Sequence, residues 1–202
     1  MTPLEFIDQY NNQKKTILLI GKRKINEGDD KLIIQMGKWL GQHLPLSSYR
    51  SGNASGADEL FVQGLLTYNS LDLKIFTPYK GHKKNPSRSQ YYQPLEHASI
   101  VEEPQIMKYG KNKKNGHLIS AFLTGEKHTE SIKGAYLVRD CWMVLGDRIH
   151  PPASIAIVYD DLSNPNKGGT GFTLQVCSEN NIPSIKQNTW VEWLSFSQQN
   201  EP

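Results

Sequence analysis

The stretch SGNASGAD at residues 51–58, set against KGGTGFT at residues 167–173, decides how this sequence is interpreted. Each stretch follows a strand-like segment and leads into a helical pattern. Small residues at such a turn leave backbone N–H groups open at the positive end of a helix, where phosphate binds well. If both turns face one crevice, they would form a nucleotide site.

Strand-like and helix-like segments alternate around these two turns. Short apolar runs predict buried strands, and apolar residues at helical spacing predict the elements between them. The predicted strands cover 16–20, 48–50, 73–76, 154–159 and 183–186, and the predicted helices begin at 29–30 or cover 57–68, 132–145 and 172–179. This alternation predicts an α/β fold, a Rossmann-like parallel sheet with helices on both faces. Ligands of such sheets bind beyond the carboxyl ends of the strands.

Length and composition set the outer bounds. A chain of 202 residues with 37% hydrophobic residues predicts one globular domain, 1–202, and a net charge of +3 is too small to identify a class of partner. Cys141 and Cys177 are expected to be reduced helix residues, because they lie far apart and have no metal-ligand spacing. No metal and no cofactor is expected. The absence of a targeting signal or a long apolar run predicts a cytoplasmic protein with no membrane partner.

A basic insertion at about 81–130 interrupts the alternation. Between residues 81 and 114 the local excess of charge is +4, and tyrosines and histidines are interleaved with the charged residues. The segment is interpreted as a lid over an anionic ligand, as a nucleic-acid surface, or as a solvated loop with a helix of its own. Its charged residues are Lys83, Lys84, Arg88, Lys108, Lys111, Lys113 and Lys114 against Glu96, Glu102 and Glu103.

The ordered motifs together resemble one group of proteins. GKR at 21–23, YRSGNASGAD at 49–58, LVRDCWM at 137–143 and KGGTGFT at 167–173 are similar to motifs of the SLOG superfamily. That group contains the lonely-guy cytokinin-activating enzymes, the Rossmann domain of DNA-processing protein A, and small stand-alone YspA-like bacterial proteins. The resemblance covers about 16–186 apart from the insertion. It implies a Rossmann-like sheet whose Gly-rich turns hold a nucleotide or nucleotide-sugar phosphate.

The resemblance also implies a set of ligand-binding residues. Arg139 matches an arginine of the lonely-guy enzymes, and its fork of donors suits phosphate. It can instead pair with Asp140 or Asp147 on the surface. Asp58 is either a first-turn acid that complements the helix dipole or a residue that orients ribose or the loop. The implied set is Gly21, Lys22, Arg23, Ser51, Gly52, Asn53, Ser55, Gly56, Asp58, Arg139, Gly168, Gly169, Thr170, Gly171 and Thr173.

One departure from the family pattern bears on catalysis. The position of the lonely-guy glutamate is Gln175 here, and an amide cannot exchange a proton or balance a developing oxocarbenium charge. No catalytic residue is therefore assigned. If the protein is an enzyme, Asp58, Asp160 or Asp161 would have to supply the carboxylate.

Three hypotheses follow from these residues. The leading one is a nucleotide or nucleotide-sugar binding protein that acts as a sensor or sequestering module. A nucleotide N-glycosidic-bond hydrolase, and a single-stranded nucleic-acid binding module that uses residues 81–114, are the alternatives. A homodimer is a further expectation, by analogy with related folds.

Overall fold

A computed structural model describes residues 1–68, 71–83, 85–97, 104–109, 114–125 and 129–199. Its sheet has six strands in the order β4-β3-β2-β1-β5-β6, and every neighbouring pair is parallel. The strands are β1 (Thr16–Gly21), β2 (Ser48–Ser51), β3 (Asp72–Thr77), β4 (Tyr92–Pro94), β5 (Ile155–Tyr159) and β6 (Ser184–Lys186). The predicted α/β class with a Rossmann-like parallel sheet is confirmed.

Helices occupy the connections between the strands. They are α1 (Pro3–Tyr10), α2 (Asp29–His43), α3 (Ala57–Leu65), α4 (Pro104–Tyr109), α5 (Gly116–Leu123), α6 (Thr129–Leu145), α7 (Gly168–Glu179) and α8 (Gln187–Gln199). Two 3₁₀ segments, Pro86–Tyr91 and Leu95–His97, flank β4.

Alternate side chains of the central strand enter two separate cores. Ile17 and Leu19 of β1 pack in the core that is covered by α1, α2, α3 and α8, while Leu18 and Ile20 pack against α6 and α7. All four are at most 3% exposed. A strand that is buried on both faces needs a continuous apolar run, which explains why TILLI was recognisable in the sequence.

The strand order reverses beside β1. From β1 the chain moves outward through β2, β3 and β4, and then returns to add β5 and β6 on the other side of β1. The loops after β1 and β5 therefore diverge over opposite faces and leave a crevice at the carboxyl edge of the sheet, which is where open α/β sheets bind their ligands.

Several boundaries differ from the sequence predictions. The helix predicted from Phe172 begins at Gly168, because the Gly-rich turn is itself the first turn of α7. The pattern over 57–68 ends as a helix at Leu65, and α6 begins at Thr129 rather than Ile132. The elements α1, β4 and α8 were not predicted, and the described part of the insertion contains two helices, α4 and α5, where one was considered. Residues Lys84, Glu102, Glu103, Lys111 and Lys113 of the basic insertion lie outside the described residues.

The described part of the insertion is built into the fold rather than forming a loop alone. Its strand β4 pairs with β3 at the edge of the sheet, and α4 and α5 pack against α6. The two cysteines are free and buried, in α6 and α7. Burial raises the pKa of the Cys177 thiol to about 12. Within the described ranges, no helix combines the length and the apolar character needed to cross a membrane.

Candidate functional site

A crevice of about 810 Å³ lies at the point where the strand order reverses. It is lined by 20–24 after β1, by Ala54 and Asp58, by one face of α6, and by 166–173 after β5. Its volume falls in the range of small-molecule sites, about 300–1,000 Å³. We call it the switch-point crevice.

Positive charge dominates the lining of the switch-point crevice. Seven lysine and arginine side chains line it, against the two carboxyl groups of Asp58 and Asp140. A concave site with one predominant sign of charge concentrates ligands of the opposite sign. The lining therefore favours an anion with more than one negative charge. The seven cationic residues are Lys22, Arg23, Lys24, Lys114, Lys133, Arg139 and Lys167.

The first turn of α7 opens into this crevice. The N-cap residue, Lys167, makes no side-chain capping hydrogen bond, and Gly168 has a left-handed φ of 64°. A Cβ atom at Gly169 would meet only Asp140 Oδ2, at 3.9 Å, so the backbone there is open to a ligand. The first N–H groups of a helix lack intrahelical acceptors and bind anions. Thr173 Oγ1 donates to the Gly169 carbonyl at 3.0 Å.

Gly21, Gly56 and Gly171 near the crevice are required by packing. A Cβ at Gly171 would collide with the Asn166 carbonyl, and one at Gly21 would collide with Ala57. Gly56 has a φ of 88° and lies against the backbone carbonyls of Lys22 and Arg23. These glycines allow the loops to approach each other closely, whereas Gly169 faces open space.

Asp58 joins the loops after β1 and β2. Its Oδ1 accepts from the Gly21 N–H at 3.0 Å, and its Oδ2 accepts from the N–H groups of Gly52 at 3.2 Å and Ala54 at 3.4 Å. Burial raises the pKa of this carboxyl to about 6, and the positive charge of Arg139 opposes the rise. Both oxygens of Asp58 are thus occupied by loop backbone, as expected for a residue that orients the loop.

Arg139 lines the crevice but is only 4% exposed. Its Nη1 donates to the Gly52 carbonyl. Its Nε lies 3.1 Å from Asp140 Oδ1 as an ion pair, but the direction is not that of a hydrogen bond, so this N–H has no acceptor among the described residues. The pairing with Asp140 that the sequence suggested on the surface is therefore buried instead, and Asp147 pairs with His150.

The 51–56 turn contributes little to the crevice lining itself. Ser51 and Gly52 are buried and Ser55 is exposed, and only Ala54 of this turn lines the crevice. Asn53, at a left-handed φ of 54°, donates from Nδ2 to the His82 carbonyl at 3.2 Å. The turn thus fastens the start of the basic insertion to the sheet edge.

The loop after β5 is held by two acidic residues. Asp160 accepts from the Asn166 N–H at 2.8 Å and lies 3.4 Å from Lys22 Nζ, which also donates to the Lys167 carbonyl at 3.0 Å. Asp161 accepts from the Ser163 N–H and hydroxyl. Both carboxylates therefore shape the turn that carries α7.

Two further side chains, those of Gln175 and Tyr136, border the crevice. Gln175 lies at its edge and donates to Glu179 Oε1 at 2.8 Å. Tyr136, which sequence reasoning missed, lines the crevice with the guanidinium groups of Arg23 and Arg139 5.6 and 5.9 Å from its ring centroid. Its position three residues before Arg139 on a helix was the available signal. In the described part of the chain, no three His, Cys, Asp or Glu side chains form a group that would hold a metal ion.

Comparisons with known proteins assign no family to this chain. No protein-family model matches this sequence, and no curated protein is similar to it. Among solved structures, the fold is similar to DNA processing protein A from Helicobacter pylori, whose structure is described for its single-stranded DNA binding mode. The two chains are 14% identical with a TM-score of 0.49, over 92% of this chain and 68% of the other. A likeness at this level assigns neither a family nor a function.

Proposed function

We propose that this protein binds a nucleotide or nucleotide-sugar through its phosphates in the switch-point crevice, and acts as a sensor or sequestering module. The observation that carries the proposal is the meeting of seven cationic residues with the open first turn of α7 in one cavity. Backbone N–H groups hold phosphate oxygens at fixed positions, and the surrounding cations supply long-range attraction. Lys22, Arg23, Gly168, Gly169, Thr170 and Arg139 are the proposed phosphate contacts.

The excess of positive charge favours a ligand with at least two phosphates. A monophosphate would neutralise only part of a lining in which seven cations face two carboxyl groups, and burial raises the pKa of both, that of Asp58 to about 6. Arg139 adds to this positive charge from a buried position beside Asp140.

The contacts of the three alternative carboxylates, Asp58, Asp160 and Asp161, support binding rather than glycosidic cleavage. Asp58 holds three backbone N–H groups, Asp160 and Asp161 shape the turn before α7, and Gln175 is an amide. A general acid or base needs a free oxygen within reach of the substrate. Hydrolysis stays an alternative that a product assay decides.

Single-stranded nucleic acid is the second candidate ligand. Lys24, Lys114 and Lys133 are exposed and line the crevice, and Lys114 comes from the basic insertion. A row of exposed lysines contacts successive phosphates, and such binding weakens steeply as salt is raised.

Calorimetric titration with ADP, AMP, adenosine and an oligothymidylate separates these functions. We expect ADP to bind more tightly than AMP and adenosine not to bind. Lys133→Glu should lower ADP affinity about tenfold, since it reverses one charge of the lining. Lys38→Glu, an exposed position on α2 away from the crevice, is the matched control. Equal binding of ADP and adenosine would refute the phosphate site, and release of free adenine would establish the hydrolase.

A further inference from the structure

A second cavity of about 400 Å³ lies at the same edge of the sheet, beyond the carboxyl ends of β3 and β4. The start of the basic insertion forms most of it, and its lining includes Thr77, His82, Pro86, Tyr92, Pro94 and His97. We call it the edge cavity. It is large enough for one drug-sized ring system and falls within the volume range of small-molecule sites.

The lining of the edge cavity suits an uncharged planar group. Two prolines and the Tyr92 ring give apolar walls, and His82 and His97 give heteroaromatic edges that exchange hydrogen bonds. Burial, together with the charges of Arg139, Lys83 and Arg23, lowers the pKa of His82 to about 4, so the imidazole is neutral near pH 7. Lys80 is the charged residue among the described lining. Phosphate should therefore bind in the switch-point crevice in preference to the edge cavity.

One pair of side chains connects the two cavities. His82 lines the edge cavity, Tyr136 lines the switch-point crevice, and their rings meet edge to face with centroids 5.4 Å apart. The Tyr136 hydroxyl lies 3.5 Å from His82 Nδ1. Asn53 fixes this wall to the turn after β2 through its bond to the His82 carbonyl. A ligand that fills the crevice therefore has a second binding surface on the other side of the Tyr136–His82 pair.

We infer that the edge cavity is the subsite for the second nucleobase of a two-headed nucleotide, in which two nucleosides are joined through phosphates that bind in the switch-point crevice. This inference rests on the proposed function. Two cavities lie on one edge of the sheet, one strongly cationic and one lined mainly by aromatic rings and prolines. A ligand with a single base leaves one of them empty. A base that stacks on an aromatic side chain gains affinity.

Diadenosine diphosphate and ADP are the two probes. Diadenosine diphosphate carries less negative charge than ADP, so charge alone predicts that it binds more weakly to the crevice. We expect the reverse, with the dinucleotide binding at least tenfold more tightly than ADP, because it gains the edge cavity.

Ser89→Trp and Gln90→Trp localise the effect. Both residues are exposed and lie in the same 3₁₀ segment, but only Ser89 lines the edge cavity. Ser89→Trp should fill the cavity and reduce dinucleotide affinity to that of ADP while leaving ADP affinity unchanged. Gln90→Trp should change neither. NMR of the wild-type imidazoles gives an independent result, with the His82 and His97 signals shifting with the dinucleotide and not with ADP.

The outcomes separate the two proposals. ADP binding without any advantage for the dinucleotide overturns the second subsite and leaves the phosphate site standing. An equal loss of both ligands in Ser89→Trp, or no shift of the His82 and His97 signals, also overturns it. Failure of ADP itself to bind overturns the proposed function, and the second subsite with it.

Discussion

The carboxyl group of Asp58 provides a test of how the walls of the switch-point crevice are held together. It accepts from N–H groups after both β1 and β2, and it is buried beside Arg139. Asp58→Asn keeps the size of the side chain but replaces one oxygen with an NH₂ group that faces a backbone donor. An unsatisfied buried donor costs about 1–3 kcal/mol, so we expect the variant to be less stable in mildly acidic solution.

The pH dependence of this difference follows from the pKa of Asp58. Burial raises the pKa from an ordinary 3.8 to about 6, so the folded protein holds this proton more tightly than the unfolded chain does. The stability that this proton contributes is complete below about pH 3.8 and is lost as the pH rises through about 6. At 1.36 kcal/mol per pKa unit the loss amounts to about 3 kcal/mol, of which about 2 kcal/mol falls between pH 4.5 and 8. The Asp58→Asn variant has no carboxyl proton at this position and therefore does not show this loss of stability.

Urea unfolding of the wild type and Asp58→Asn at several pH values measures this effect. The difference in the free energy of unfolding should shift by about 2 kcal/mol in favour of the variant between pH 4.5 and 8. Asp8→Asn, at an exposed position of α1, is the control for the loss of one carboxylate, and its difference should stay level. A difference for Asp58→Asn that is the same at every pH would refute the role assigned to this buried carboxyl.

Three further results are expected from single substitutions. Gly169→Val should keep the fold and lower ADP affinity at least tenfold in calorimetry, because the valine side chain covers the open turn. Gly171→Val, as its counterpart, should lower the midpoint of thermal unfolding, because its Cβ would collide with the Asn166 carbonyl. Normal ADP binding by folded Gly169→Val would contradict this. Arg139→Ala should cost about 3–5 kcal/mol in urea unfolding, because it leaves Asp140 buried without its partner, and an unchanged unfolding midpoint would argue against that pair. Gln175→Glu should release no free base from nucleotides by chromatography, and measurable release would mean that the rest of a hydrolytic site is present.

The parallel sheet was predictable from the sequence because its central strands are buried on both faces. TILLI at 16–20 and IAIVY at 155–159 are continuous apolar runs, as this environment demands. β4 was missed because it has only three residues, Tyr92–Pro94, and lies at the edge of the sheet. The missed α8 had a usable signal, since Trp190, Trp193 and Leu194 are spaced by three and four residues and face one core.

The chemistry of the site was harder to predict because side chains act there across long separations in sequence. Arg139 and Asp58 were singled out, but their contacts with the backbone of Gly52 depend on how α6 lies over the loop after β2. Tyr136 and Lys133 reach the crevice only because α6 turns one face toward it. The pattern of residues along α6 indicates a shared face, but it does not indicate that this face borders a cavity.

The two Gly-rich turns look alike in sequence, but their glycines are there for different physical reasons. Positions 52 and 56 require glycine because Arg139 and the backbone after β1 occupy the space that a side chain would need. Gly169 has no such neighbour, so packing gives no reason for a glycine there. A glycine in open space at the first turn of a helix leaves its N–H accessible, which is of use only when another molecule approaches. Gly169 therefore points to a ligand more strongly than the number of glycines does, and the comparison of Gly169→Val with Gly171→Val tests this directly.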